Sequence, residues 1–203
     1  MLCLLFLNKK EQIPHFKIKQ NLVETSYQIE PSKEAQNNTI QLVQQFSIDI
    51  GKIQNDPVVA ELRMRTAAQD LPESDYSVLE KIILDTGLNQ DDRFVALTLL
   101  TWSNNANVAS TLVKIATSGF DPVLNPNQKS DFEKILRMSA VEGLSEIPLQ
   151  PFKRIQYLNQ ILVQTELEPI VDRAMRSLWA EQKLAMSVAD QDQEALKKLL
   201  SSP

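Results

Sequence analysis

A single histidine and a single cysteine limit the chemistry available to this chain. Cys3 has no second thiol with which to form an intrachain disulfide or a thiolate metal site. His15 stands alone between Pro14 and Phe16, which rules out any site needing two imidazoles, and it reads as a surface or packing residue rather than a base. There is no His-Glu-x-x-His, Gly-x-Ser-x-Gly, phosphate-loop or Cys-x-x-Cys pattern. The acidic pairs Asp91-Asp92 and Asp190-x-Asp192 fall where helices should begin. There they cap the chain and offset the helix dipole rather than ligate a metal. No catalytic residue, metal or cofactor is expected. What remains is arginine and tryptophan, the side chains most enriched at binding hot spots. Arg63, Arg137, Arg176 and Trp102 are therefore the candidate binding residues. Trp102, six residues after Ala96, falls off the core-facing side of its helix, so it either anchors a partner or packs on an adjacent helix. Trp179, which follows Leu178, carries the same two readings.

The elements that must position these residues are helices. Only 4 of 203 residues are glycine, about 2% against a usual ~7%, which disfavours β-sandwiches, barrels and dinucleotide-binding folds. With 21 Lys+Arg against 26 Asp+Glu, the formal charge is −5. No basic cluster larger than Lys9-Lys10, Lys153-Arg154 or Lys197-Lys198 is present, which disfavours nucleic acid as a partner.

Met1 to Leu7 is apolar and ends abruptly at Asn8-Lys9-Lys10. Seven residues of helix cover roughly 10 Å, too short for a bilayer core of ~30 Å. This segment is expected either to pack on a neighbouring surface or to be the end of a longer signal anchor. The compartment follows that choice: cytoplasmic by default, exported or membrane-anchored if an anchor precedes Met1. Residues 1–32, bracketed by Pro14 and Pro31, read as an extended arm, and residues 33–203 as a helical domain.

Apolar periodicity predicts helices over 33–54, 57–70, 75–86, 91–103, 107–118, 130–146, 151–165, 169–186 and 189–201. The first places Ile40, Val43, Ile50 and Ile53 on one stripe. Asp56-Pro57 and Glu168-Pro169 each place an acid before a proline, a helix-start signature. Gly87 is expected to end a helix in the left-handed conformation, and Asn104-Asn105 marks another break.

Four of these helices share an Ala-x-x-x-Leu step: Ala67/Leu71, Ala96/Leu100, Ala140/Leu144 and Ala174/Leu178. The small residue admits a neighbouring helix closely and the leucine one turn later holds it. The segment Leu136-Arg137-Met-Ser-Ala140-Val-Glu-Gly-Leu144-Ser-Glu-Ile147 resembles the second helix of a HEAT repeat. Asp92-Arg93-Phe-Val-Ala96 keeps the same Arg and Ala, Arg173 lies off that column, and the copy around Arg63 to Ala67 has an ambiguous register.

The resemblance implies a right-handed α-solenoid of about four helix pairs plus a closing helix, with a non-repetitive helical bundle as the alternative. It also implies that Arg93 and Arg137 are ladder residues tying adjacent repeats through carboxylates. The function it implies is a non-enzymatic scaffold that binds a protein partner on the concave face, with the arm and the 119–129 loop adding edge contacts. The rival is an enzyme or accessory factor on the same scaffold, since some HEAT-like proteins resemble base-excision glycosylases or bilin lyases. Such a pocket would recruit Trp102, Arg137, Trp179 and Asp172 for a small ligand or nucleobase. The oligomeric state is left open.

Overall fold

The computed structural model describes residues 33–200 apart from 51, 53–55 and 120–129. Cys3, His15, the arm and most of the 119–129 loop lie outside the described residues. The described residues are all-α, with eight helices packed on one another: α1 Lys33–Ile50, α2 Pro57–Gln69, α3 Tyr76–Leu84, α4 Gln90–Trp102, α5 Ala109–Thr117, α6 Ser130–Glu146, α7 Pro151–Gln164 and α8 Glu168–Leu200. Short 3-10 turns at Glu73–Asp75 and Ala106–Val108 lead into α3 and α5.

The helix starts follow local chemistry. Asp56 accepts the Val58 N–H at 2.9 Å with Pro57 at the first helical position. Asn89 caps α4 by accepting the Asp91 N–H at 3.1 Å, which puts Asp91 and Asp92 in the first turn. The second acidic pair is different, because Asp190 lies inside α8 rather than at a helix start. The expected break between 186 and 189 does not occur. From Ile170 to Leu200 the chain has neither glycine nor proline, so nothing interrupts a helix of about 50 Å.

Helix ends follow a different rule from the one expected. No described glycine has positive φ; the left-handed residue is Asn104, at φ 53°. Gly87 instead donates its N–H to Asp85 Oδ1 at 2.9 Å, closing a side-chain turn after α3. Several of the carbonyls exposed at helix ends are taken by arginine. Arg93 Nε donates to Ile83 O at 2.8 Å, Arg137 Nε to Ser118 O at 2.7 Å, and Arg154 Nε to Leu144 O at 2.7 Å. Arg154 also reaches Ile147 O and Leu149 O through Nη2.

Consecutive helices pack as α1/α2, α3/α4, α5/α6 and α7/α8, and each odd helix also touches the next odd one, each even helix the next even one. One continuous apolar core runs through them from Val43 to Leu178. Ala68, Ala96, Ala140 and Ala174 are fully buried in the four even helices. In α2 the fully buried alanine is Ala68 rather than Ala67, because Met64 and Ala68 share the buried side of the helix, and four residues after Ala68 stands Pro72 instead of a leucine. In α1, Val43 is buried but Ile40 and Ile50 are exposed. The inward place goes to Thr39, whose hydroxyl donates to the buried Asp75 carboxylate at 2.7 Å.

Between α4 and α6 the packing is ionic as well as apolar. Glu133, 1% exposed, lies between two buried arginines. Arg93 forks onto both of its oxygens, with Nη2 to Oε2 at 3.2 Å, and Arg137, one turn along α6, binds Oε2. Burial pushes the Glu133 carboxyl up, but hydrogen bonds and charge from Arg93 and Arg137 outweigh it and hold the group below the usual glutamate range. A second tie joins α7 to α8, where Arg154 Nη1 donates to Glu181 Oε1 at 2.9 Å. Glu181 Oε2 is buried without a hydrogen-bond partner, so this tie is less complete.

Removing one member of a buried ion cluster leaves uncompensated charge and costs about 3–5 kcal/mol. Glu133→Gln is expected to destabilise by about that much, and Glu181→Gln by less. Because the folded-state carboxyl of Glu133 is depressed, its contribution is complete above the ordinary glutamate pKa and is lost as pH falls through the lower folded value. Urea unfolding across the acid range checks this: the wild type should lose stability more steeply with falling pH than Glu133→Gln.

A cleft across three even helices

Turned away from the Glu133 tie, α4 forms the floor of a cleft of about 490 Å³, with α2 and the end of α1 on one side and α6 on the other. The sequence of α4 explains why it can be a floor. Arg93, Ala96, Leu99 and Leu100 face the core, while Phe94, Thr98 and Trp102 recur at four-residue steps on another side. A helix that is apolar nearly all round has neighbours on more than one face.

The floor and walls combine apolar surface with carboxylates. Phe94, 41% exposed, Leu97 and Met64 supply apolar area, and Asp49, Glu61, Glu142 and Glu146 supply charge. Trp102 closes one end. Its indole N–H donates to Glu146 Oε2 at 3.2 Å, and the Arg65 guanidinium stands 4.1 Å from its ring centroid. Arg65 is in turn paired with Glu61 at 2.9 Å. A chain of polar contacts therefore links α2, α4 and α6 along the cleft edge. Hydrogen bonds from Lys52 and Gln45 hold the Asp49 carboxyl below its usual range.

Of the candidate binding residues singled out from the sequence, Trp102 is the one that lines this cleft. It packs against the core and faces the open side. Arg137 is buried, and its donors serve Ser118 O, Glu133 O and the Glu133 carboxylate. Arg93 is equally buried. Arg63 is exposed on α2, close enough to Asp49 to act on it electrostatically. Arg176 is exposed on α8 and paired with Asp172 at 3.0 Å. Trp179, 69% exposed, lies on the same helix with Lys183 near its ring. The structure does not bring Trp179, Asp172 and Arg137 to the cleft with Trp102.

Sequence reasoning missed Phe94, Thr98, Glu142, Gly143 and Glu146. The four-residue steps Phe94–Thr98–Trp102 were the available signal for the floor. Nothing local marks the carboxylates, since charged residues on a helix face ordinarily meet solvent. Among the described residues, no group of three or more His, Cys, Asp or Glu is placed to hold a metal ion. No described helix is long and apolar enough to cross a membrane. No family model, no curated protein and no solved structure matches the chain.

Gly143 sets how closely α4 and α6 approach. A Cβ there would stand 2.9 Å from Thr101 Oγ1 and 3.2 Å from its Cγ2. Alanine in a helix interior gains up to about 1 kcal/mol over glycine, whereas overpacking a tight contact costs about 1–3 kcal/mol. Thr101 is β-branched and buried, so it yields little. Gly143→Ala is expected to lose about 1 kcal/mol net. Adding Thr101→Ala should make the glycine replacement neutral or stabilising, a non-additivity that a double-mutant cycle by urea unfolding reads directly.

Proposed function

We propose that this chain is a non-enzymatic interaction module, a short HEAT-like α-solenoid that holds a segment of a protein partner on its even-helix face. The solenoid reading is supported by the neighbour pattern, in which each helix pair packs on the next through like-numbered helices. The buried alanine repeated in α2, α4, α6 and α8 supports it too. Stacks of this kind cover their apolar faces with successive pairs and present one row of second helices as a concave surface. On this reading the irregular spacing of the alanines reflects insertions between successive helix pairs.

The observation that carries the binding role is the cleft itself. Three successive second helices leave an apolar floor open at Phe94 and Trp102, and clustered exposed aromatic surface on a rigid scaffold marks a recognition site. The candidate residues divide accordingly. Trp102 is the anchor, Arg63 and Arg176 are flanking exposed cations, and Arg93 and Arg137 brace the stack from inside.

A second reading keeps the scaffold and changes the guest. A volume of about 490 Å³ falls within the ~300–1000 Å³ typical of small-molecule pockets. An accessory factor or enzyme would then hold a small apolar ligand against Trp102.

Native co-purification of the full chain with crosslinking and mass spectrometry separates these. The protein reading expects a stoichiometric partner crosslinked around the floor of α4 and the facing wall of α6, and lost in Phe94→Asp while far-ultraviolet circular dichroism is unchanged. Crosslinks confined to α7 or α8, or unaffected by Phe94→Asp, would remove the cleft from the account. A small molecule co-eluting in place of a protein would favour the second reading.

A further inference from the structure

We infer that the segment held in the cleft is an amphipathic helix with lysine or arginine on both sides of its apolar stripe; this rests on the cleft being the binding face. Three observations support it. The first is the arrangement of charge. Among the described residues, all the titratable ones lining the cleft are acidic, and they stand on both walls: Asp49 and Glu61 on one side, Glu142 and Glu146 on the other, with the apolar floor between them. The cations that contact them come from outside the lining: Lys52 on Asp49, Arg65 on Glu61 and Arg173 on Glu142. These pairs are solvent-exposed, so a partner's cations can take their place. Among the described residues Glu146 carries no ion pair and accepts only the Trp102 indole N–H.

The second observation is the shape of the floor. Phe94, Thr98 and Trp102 make a stripe about 12 Å long, roughly two helical turns. An apposed helix meets such a stripe with anchors at four-residue steps, the helix-in-groove mode. The third is that the cleft is walled by helices, whose main-chain groups are paired internally. An extended peptide would find no strand edge there to bond with.

The test uses the full chain and three labelled synthetic peptides sharing one apolar helical stripe, flanked by lysine, glutamine or glutamate. Binding is followed by fluorescence anisotropy. The lysine peptide is expected to bind at least about tenfold tighter than the glutamine peptide at low salt, with the advantage shrinking at high salt as exposed charges are screened. Glu142→Gln combined with Glu146→Gln removes the charge of one wall and should cut that advantage severalfold. Thr98→Arg on the floor should weaken both peptides, and Ala60→Arg on the α2 wall serves the same purpose should Thr98→Arg fail to fold. Equal binding of lysine and glutamine peptides, both lost in Thr98→Arg, would overturn the charge inference and leave the cleft as the binding face. Failure of all three peptides, or binding indifferent to both arginine variants, would overturn the helical occupant, and the crosslink map then judges the cleft independently.

Discussion

The fold depends on one carboxylate. Glu133 holds two arginines from different helices, and each of those arginines also takes a backbone carbonyl at the end of a third element. Four separate stretches of chain, in α3, α4, α6 and the end of α5, meet through this one group. Ion clusters of this kind are poor sources of net stability, because desolvation consumes most of the attraction. What they specify is geometry: a guanidinium fork on a carboxylate has few acceptable orientations. A tie of this kind constrains how α4 lies against α6, and another face of α4 is the cleft floor.

The arginines also resolve a problem set by composition. Helices ordinarily finish on a left-handed glycine that satisfies the last carbonyls. This chain has 4 glycines in all, and none of the described ones adopts that conformation. Arg93, Arg137 and Arg154 fill part of that role from neighbouring helices, so the helix ends become points of tertiary contact. Local capping and stacking of the array are thereby the same interactions.

The sequence showed some of this and hid the rest, for definable reasons. Helix positions were legible because proline, asparagine and aspartate punctuate them locally, as at Asp56-Pro57 and Asn104-Asn105. The merging of the last two helices was legible in principle, since nothing between Ile170 and Leu200 breaks a helix. Registers were harder: Ala67 and Ala68 are equally small, and only Met64 and the facing helix decide which turns inward. Glu133 could not be recognised at all, because a glutamate in the first turn of a helix ordinarily faces water. Arg154 lay outside the Arg-to-Ala spacing that drew attention to Arg93 and Arg137. The cleft belongs to three helices together, so Trp102 and Phe94 could be noticed singly but not assembled.

One measurement tests the central claim, that the buried tie on one side of α4 sets the cleft on the other. Spin labels would be placed at Glu61→Cys on α2 and Ser139→Cys on α6, in a Cys3→Ser background, and the distance distribution compared with and without Glu133→Gln by double electron–electron resonance. The account predicts a single narrow distribution in the parent and a broadened or shifted one in the variant, under conditions where both remain folded. An unchanged distribution in folded Glu133→Gln would show that apolar packing alone sets the cleft.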